Sequence, residues 1–151
     1  MDDMIPPILE DTVGAIMTKN PMTIDFDTPI KKVLQTMVNR DIGSLIVLKN
    51  AKPVGIITER DVTRISLRST ISQNIHEDLA GRLMSSPLIT APPETPIWQV
   101  FETMISKKIR RLPIVEQGRL VGIATERDLV KWALRVFYAP NIPDRIKKFL
   151  D

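Results

Sequence analysis

Thr58 and Asp61 stand three residues apart in VGIITERDV, residues 54–62, and Thr125 and Asp128 keep the same spacing in VGIATERDL, residues 121–129. A hydroxyl and a carboxylate so placed at the start of a helix close a capping box. The threonine caps the first turn and the aspartate reaches back to it. The same geometry can also serve a ligand. A strand that delivers threonine to a helix N-terminus presents backbone N–H groups and a hydroxyl, which suits an anion such as phosphate. Asp61 would repel an anion that it faced, so its partner in that second reading is a pair of vicinal hydroxyls, both of which can donate to one carboxylate. Gly55 and Gly122 fit either reading. Glycine inside a strand weakens pairing unless a bulge, a close backbone or a ligand needs the space.

The two stretches belong to a longer echo. Residues 28–61 align with residues 95–128 without a gap, and 15 of the 34 pairs are identical, where chance gives about two. The match weakens upstream but pairs Met17 with Met84 and Thr23 with Thr90. Each unit is therefore about 60 residues long, too short to be comfortably stable alone. Two copies make a pair rather than a stacked array, and the halves are expected to bury their apolar faces against each other.

The elements that must position the two motifs repeat as well. Ile30, Val33, Leu34, Met37 and Val38 follow the spacing of an amphipathic helix, and Ile97, Val100, Phe101, Met104 and Ile105 repeat it. Met37 and Met104 lie on these stripes and read as packing residues. Thr28-Pro29 and Thr95-Pro96 predict an N-cap followed by proline at the first helical position. Two β-rich runs come next, Ser44 to Leu48 with Val54 to Ile57, and Arg111 to Val115 with Val121 to Ala124; each pair reads as a hairpin. A second helix follows, about Thr58 to Leu67 and Thr125 to Tyr138. With a short strand near Thr23 or Thr90, each unit reads strand, helix, strand, strand, helix.

These readings divide the chain into a first unit over 10–67, a linker over 68–78, a second unit over 79–138 and a tail over 139–151. The linker is polar and carries His76, read as solvated. Pro140 and Pro143 break the last helix before the amphipathic DRIKKFLD, which is expected to dock on the core.

Composition narrows the chemistry. No cysteine is present and His76 is the one histidine, which excludes a disulfide scaffold, a thiol nucleophile and a zinc site of the usual nitrogen and sulfur ligands. There is no GxxxxGK[ST] loop, and no histidine is paired with an acid, so the chain reads as a non-enzyme. No apolar run reaches the roughly 18 residues that a membrane span needs, and Met1-Asp2-Asp3 is unlike a secretory leader. A cytoplasmic location is expected. The net charge of +3 is spread in small clusters, which disfavours nucleic acid as a partner.

With two such units, each closing on Gly-h-x-Thr-x-x-Asp at 55–61 and 122–128, the sequence resembles a stand-alone tandem cystathionine beta-synthase (CBS) domain pair over about residues 10–138. The resemblance implies an α/β fold of two repeated β-α-β-β-α units packed about a pseudo-twofold axis, with clefts for adenine nucleotides. It also implies that Thr58 and Thr125 contact phosphate and that Asp61 and Asp128 hold ribose. Thr23 and Thr90 would flank the base, and Ile42 and Ile109 would line the pocket. The units differ in charge. Lys108-Ile109-Arg110-Arg111-Leu112-Pro113 is similar to the basic stretch that meets phosphates in nucleotide-sensing members, whereas Asp41-Ile42-Gly43-Ser44-Leu45-Ile46 lacks such cations. Unequal clefts are expected, with Arg110 and Arg111 setting the affinity for phosphate.

The function this implies is regulatory binding of AMP, ADP or ATP with no cofactor required, acting through an unidentified regulated protein or through a homodimer. S-adenosylmethionine is a rival ligand that carries no phosphate. A ligand-free dimerisation or interaction scaffold, whose Thr-Glu-Arg-Asp motifs serve only as helix caps, is the competing function.

Overall fold

A computed structural model describes residues 11–69, 75–138 and 144. The expectations placed on the rest of the C-terminal tail, and on the side chain of His76, lie outside the described residues. The chain divides into two compact units. One comprises residues 20–89 with 117–121, and the other comprises residues up to 19, residues 90–116 and those from 122 onward.

In chain order the elements are β1 (Thr18–Lys19), β2 (Thr23–Asp25), α1 (Ile30–Arg40), β3 (Ser44–Lys49), β4 (Lys52–Thr58), α2 (Glu59–Ser69), α3 (Ala80–Leu83), α4 (Ile97–Lys107), β5 (Arg111–Glu116), β6 (Arg119–Thr125) and α5 (Glu126–Tyr138). Two three-stranded sheets result, in the orders β2-β3-β4 and β1-β6-β5. This is the mixed α/β architecture that the pattern predicts.

In the 20–89 unit β2 runs parallel to β3 and β3 antiparallel to β4, with Ser44 opposite Thr58. Ile30, Val33 and Met37 of α1 pack with Leu45, Val47, Ile57 and Ile65 to form its core. Ile75, in the polar stretch read as a linker, is buried in the same core, with Ala80 and Leu83 beside it. The compact units thus differ from the sequence repeats. Residues 75–89 pack with the unit that precedes them, and Ser85 bridges Ile56 of β4 just as β1, at the equivalent place upstream, pairs with β6.

Three local expectations change. First, α1 and α4 start after Pro29 and Pro96, which occupy the capping position with extended ψ and no side-chain cap bond. Thr28 and Thr95 are not the caps. The first helical N–H groups find backbone carbonyls instead, Ile30 N–H donating to Asp78 O at 2.7 Å and Ile97 N–H to Asp11 O at 3.0 Å. An orphan donor satisfied by packing needs no capping hydroxyl, and the Thr95 hydroxyl donates to Pro92 O at 2.7 Å. Second, the apolar stripes stop short of their last members, since Val38 and Ile105 are 78% and 75% exposed. Third, near Thr90 the chain makes only an isolated parallel bridge, Ala91 to Ile114, in place of a strand.

The ends of the elements repeat closely. Asp41 and Lys108 follow α1 and α4 in the left-handed conformation. Ile42 N–H then donates to Met37 O and Ile109 N–H to Met104 O, each at 3.0 Å, which completes a Schellman motif. The hairpins turn on Asn50-Ala51 and Gln117-Gly118, all at positive φ, as a two-residue turn of the primed kind requires.

Candidate functional site

The two Thr-Glu-Arg-Asp motifs sit where β4 gives way to α2 and β6 to α5. In the 20–89 unit, Thr58 donates to Asp61 Oδ2 through its N–H at 2.9 Å and its hydroxyl at 3.1 Å. In the other unit, Thr125 donates to Asp128 Oδ2 through its N–H at 2.8 Å and its hydroxyl at 2.9 Å, and Asp128 N–H donates back to Thr125 Oγ1 at 3.2 Å. The bonds of Thr125 and Asp128 complete a capping box, and those of Thr58 and Asp61 form its aspartate half. They also consume donors that the anion reading requires. The next N–H is taken too, by Gly43 O at 3.2 Å for Glu59 and by Arg110 O at 2.9 Å for Glu126. The N–H groups of Thr58 and Glu59, and of Thr125, Glu126 and Asp128, are therefore already engaged, and an incoming phosphate must draw on what is left of each helix start and on side chains.

The two aspartates differ in what remains to them. Asp61 is 2% exposed, and its other oxygen, Oδ1, accepts from Ser85 Oγ at 2.8 Å and from Arg64 Nη2. An ionised carboxylate offers about four lone-pair sites, and all of those on Asp61 are occupied by the protein. Asp128 is half-buried, and among the described residues its recorded bonds as an acceptor fall on Oδ2 alone. Its Oδ1 remains available to a donor from outside.

The same carbonyl contact that pins each helix start brings the loop before β5 to the motif. The Arg110 backbone oxygen accepts from Glu126 N–H, and the exposed Arg110 guanidinium lies 3.9 Å from Glu126 Oε2. At the equivalent position the 20–89 unit has Gly43, so the difference in charge read from the two stretches falls beside the motif itself. Arg111 opens β5 and is half-buried. Ile109, also half-buried, precedes Arg110, and Ile42 packs against the core of its own unit. Thr23 opens β2 opposite Ile46, two strands away from Thr58, and Thr90 is exposed just ahead of the Ala91 bridge. Neither bonds to a motif residue in its unit.

Sequence reasoning missed Ser85 and Arg64. Ser85 falls at the repeat position of Thr18, so a hydroxyl recurs there, and Arg64 lies one helical turn beyond Asp61; both signals were present in the alignment. It also left the use of the strand glycines open. A Cβ on Gly55 would lie 2.3 Å from Met84 Sδ, and one on Gly122 2.4 Å from Met17 Sδ. The approaching group is the paired methionine of the repeat. Among the described residues no cluster of His, Asp and Glu could hold a metal ion, and no helix is long and apolar enough to cross a membrane.

A family model for the CBS domain matches residues 13–68 and again residues 80–135. The chain belongs to the CBS domain family. As a CBS pair it is 31% identical over 93% of its length to an uncharacterized protein, MK0525, of Methanopyrus kandleri, and spans 70% of that relative. It is 30% identical over 78% of its length to the CBS domain-containing protein YhcV of Bacillus subtilis, 82% of which it spans. Two further relatives are longer proteins, of which it spans 49% and 22%. Among solved structures, CBSX2 in complex with AMP superposes with a TM-score of 0.71 at 28% identity, over 83% of this chain and 98% of that one.

Proposed function

We propose that this CBS pair is a non-catalytic regulatory module that binds an adenine nucleotide, and that it signals through a homodimer or a regulated partner in the cytoplasm. The observation that carries the reading is Asp128 Oδ1, which has no protein donor among the described residues, on a carboxylate held by Thr125 at a helix start with Arg110 alongside. A ribose diol can donate to that oxygen, and a guanidinium is well suited to phosphate. Support also comes from the AMP complex of CBSX2. Thr23, Ile42, Thr90, Ile109 and Arg111 would contribute the remaining walls, and Thr58 with Asp61 a weaker second position. The exposed Val38 and Ile105 support dimerisation through α1 and α4.

The test is calorimetric titration of the purified protein with AMP, ADP, ATP and S-adenosylmethionine. The proposal expects one of the nucleotides to bind at about micromolar strength, near −8 kcal/mol, and Arg110→Ala to weaken it. S-adenosylmethionine binding that is indifferent to Arg110→Ala would replace the nucleotide reading. Silence from all four ligands, on protein free of co-purified nucleotide, would leave a scaffold whose motifs are helix caps.

A further inference from the structure

We propose a second anion site in this chain, built by Arg64, Arg68 and Arg82 and suited to a phosphoryl group. The three arginines line a concavity of about 130 Å³ in the 20–89 unit, with Ile65, Leu83 and Met84 as its other walls. A single water needs about 10–15 Å³ on the same measure, so the space is roomy enough for a phosphoryl group.

The arrangement is specific to one unit. Arg64 and Arg68 are four residues apart and share a face of α2, while Arg82 comes from α3. At the matching repeat positions the other unit has Lys131, Arg135 and Ala15, so the third cation is missing there. Ile65 matches Trp132. That indole is buried, packs against Phe101 and Phe137 with ring centroids 6.2 and 6.0 Å away, and donates to Asp11 at 2.8 Å. Asp11 is the counterpart of Asp78, since their carbonyls hold the first N–H groups of α4 and α1. Where the indole spans from α5 to Asp11, the shorter isoleucine leaves room between α2 and α3, and arginines line it.

Three cations that share a concavity repel one another, and the acids nearby neutralise them only in part. Arg82 meets Asp78 at 3.6 Å, a long contact between an exposed guanidinium and a half-buried carboxylate. Arg64 meets Asp61, but a guanidinium has five donors and its side chain is 58% exposed, so it can serve both. Arg68 has no ion pair among the described residues. Planar guanidinium groups recognise phosphate by paired hydrogen bonds, and a bound phosphoryl anion removes the repulsion. The site is separate from the nucleotide position at Asp128, because none of the three arginines belongs to Thr125, Asp128 or the Arg110 loop; it adjoins the weaker position at Asp61 through the Arg64 contact.

The probe is inorganic pyrophosphate, titrated calorimetrically into the full chain at low and high salt. The proposal expects binding that weakens with salt, falls at least tenfold in Arg68→Ala/Arg82→Ala, and is unchanged in Arg110→Ala/Arg111→Ala. The first pair of substitutions removes exposed side chains, and an unchanged melting curve shows that the fold is intact; Arg68→Gln/Arg82→Gln repeats the test if it is not. Absence of binding at millimolar pyrophosphate, equal binding in the double variant, or loss only with Arg110 and Arg111 overturns the site. Competition in Asp128→Ala then names the source of the group. Displacement of pyrophosphate by AMP assigns it to a nucleotide, and no displacement assigns it to a free phosphorylated metabolite or inorganic phosphate.

Discussion

Ser85 Oγ donates to Asp61 Oδ1 at 2.8 Å across 24 residues of sequence, and among the described residues no equivalent bond reaches Asp128. Ser85 is itself fixed by two backbone bonds with Ile56, at 2.8 and 3.1 Å. Asp61 therefore joins the start of α2 to the segment after α3, while Asp128 only caps its own helix. Losing a cap costs about 1 kcal/mol, and losing the two further bonds that Asp61 accepts, from Ser85 and Arg64, adds about 1–3 kcal/mol. Asp61→Ala should lower unfolding stability by about 2–4 kcal/mol and Asp128→Ala by about 1 kcal/mol, measured as a shift of denaturant midpoint at constant slope.

The same contrast sets a stoichiometry for the proposed ligand. With the acceptor sites of Asp61 filled, one tight nucleotide site per chain is expected, at Asp128. Hydrogen bonds to a charged group contribute about 1.5–3 kcal/mol, so Asp128→Ala should weaken AMP by roughly ten- to a hundredfold. Asp61→Ala should change the affinity by less than about threefold, a shift of about 0.6 kcal/mol. Two equal sites in the calorimetric isotherm would refute this assignment.

Gly81 tests packing. A Cβ there would meet the Phe26 ring at 2.2–2.3 Å, closer than atoms can lie without movement. Overpacking of this kind costs about 1–3 kcal/mol. Gly81→Ala should be destabilising by that amount, and Phe26→Leu should recover part of the loss. The check is a double-mutant cycle on denaturation, with coupling above about 0.5 kcal/mol expected for residues in contact.

Much of this was legible in the residues because it is local. Period and turn chemistry act within a few positions, so both hairpins, both long helices of each repeat and the threonine–aspartate pairing at each motif were readable from Thr58, Asp61 and their copies. What was not legible depends on distant partners. Pro29 and Pro96 displaced the expected caps because Asp78 O and Asp11 O come from elsewhere in the chain, and Ile75 is buried by a core that its polar neighbours do not announce. The site was partly legible for the same reason. The motif was visible, but the sealing of Asp61 by Ser85 needed tertiary structure.

Exposure of Val38 and Ile105 gives a prediction about assembly. These residues match one another in the repeat, and each is a β-branched apolar side chain at the edge of a helix stripe. If α1 and α4 meet a second copy, Val38→Ser with Ile105→Ser should shift the protein toward the monomer in light scattering over a concentration series. Surface substitutions of this kind change fold stability by no more than about 0.5 kcal/mol, so a loss of dimer with an unchanged monomer fold is the expected result. An unchanged mass would place any dimer contact on other surfaces.

Lys108 and Asp41 both hold φ near 50°, at the step where α4 and α1 stop. A side chain in that conformation costs about 1–2 kcal/mol, least for Asp, whose short polar chain tolerates it. Glycine removes the cost but gains freedom in the unfolded chain, an opposing effect of about 0.4–1 kcal/mol. Lys108→Gly should therefore stabilise by about 0.5–1 kcal/mol, and Asp41→Gly by less or not at all. Because Lys108 adjoins Ile109 and Arg110, the same variant bears on the site. An increase in denaturant midpoint with AMP affinity unchanged would show that Lys108 serves only the helix end, whereas a gain in stability coupled to weaker AMP would add its charge to the phosphate contacts.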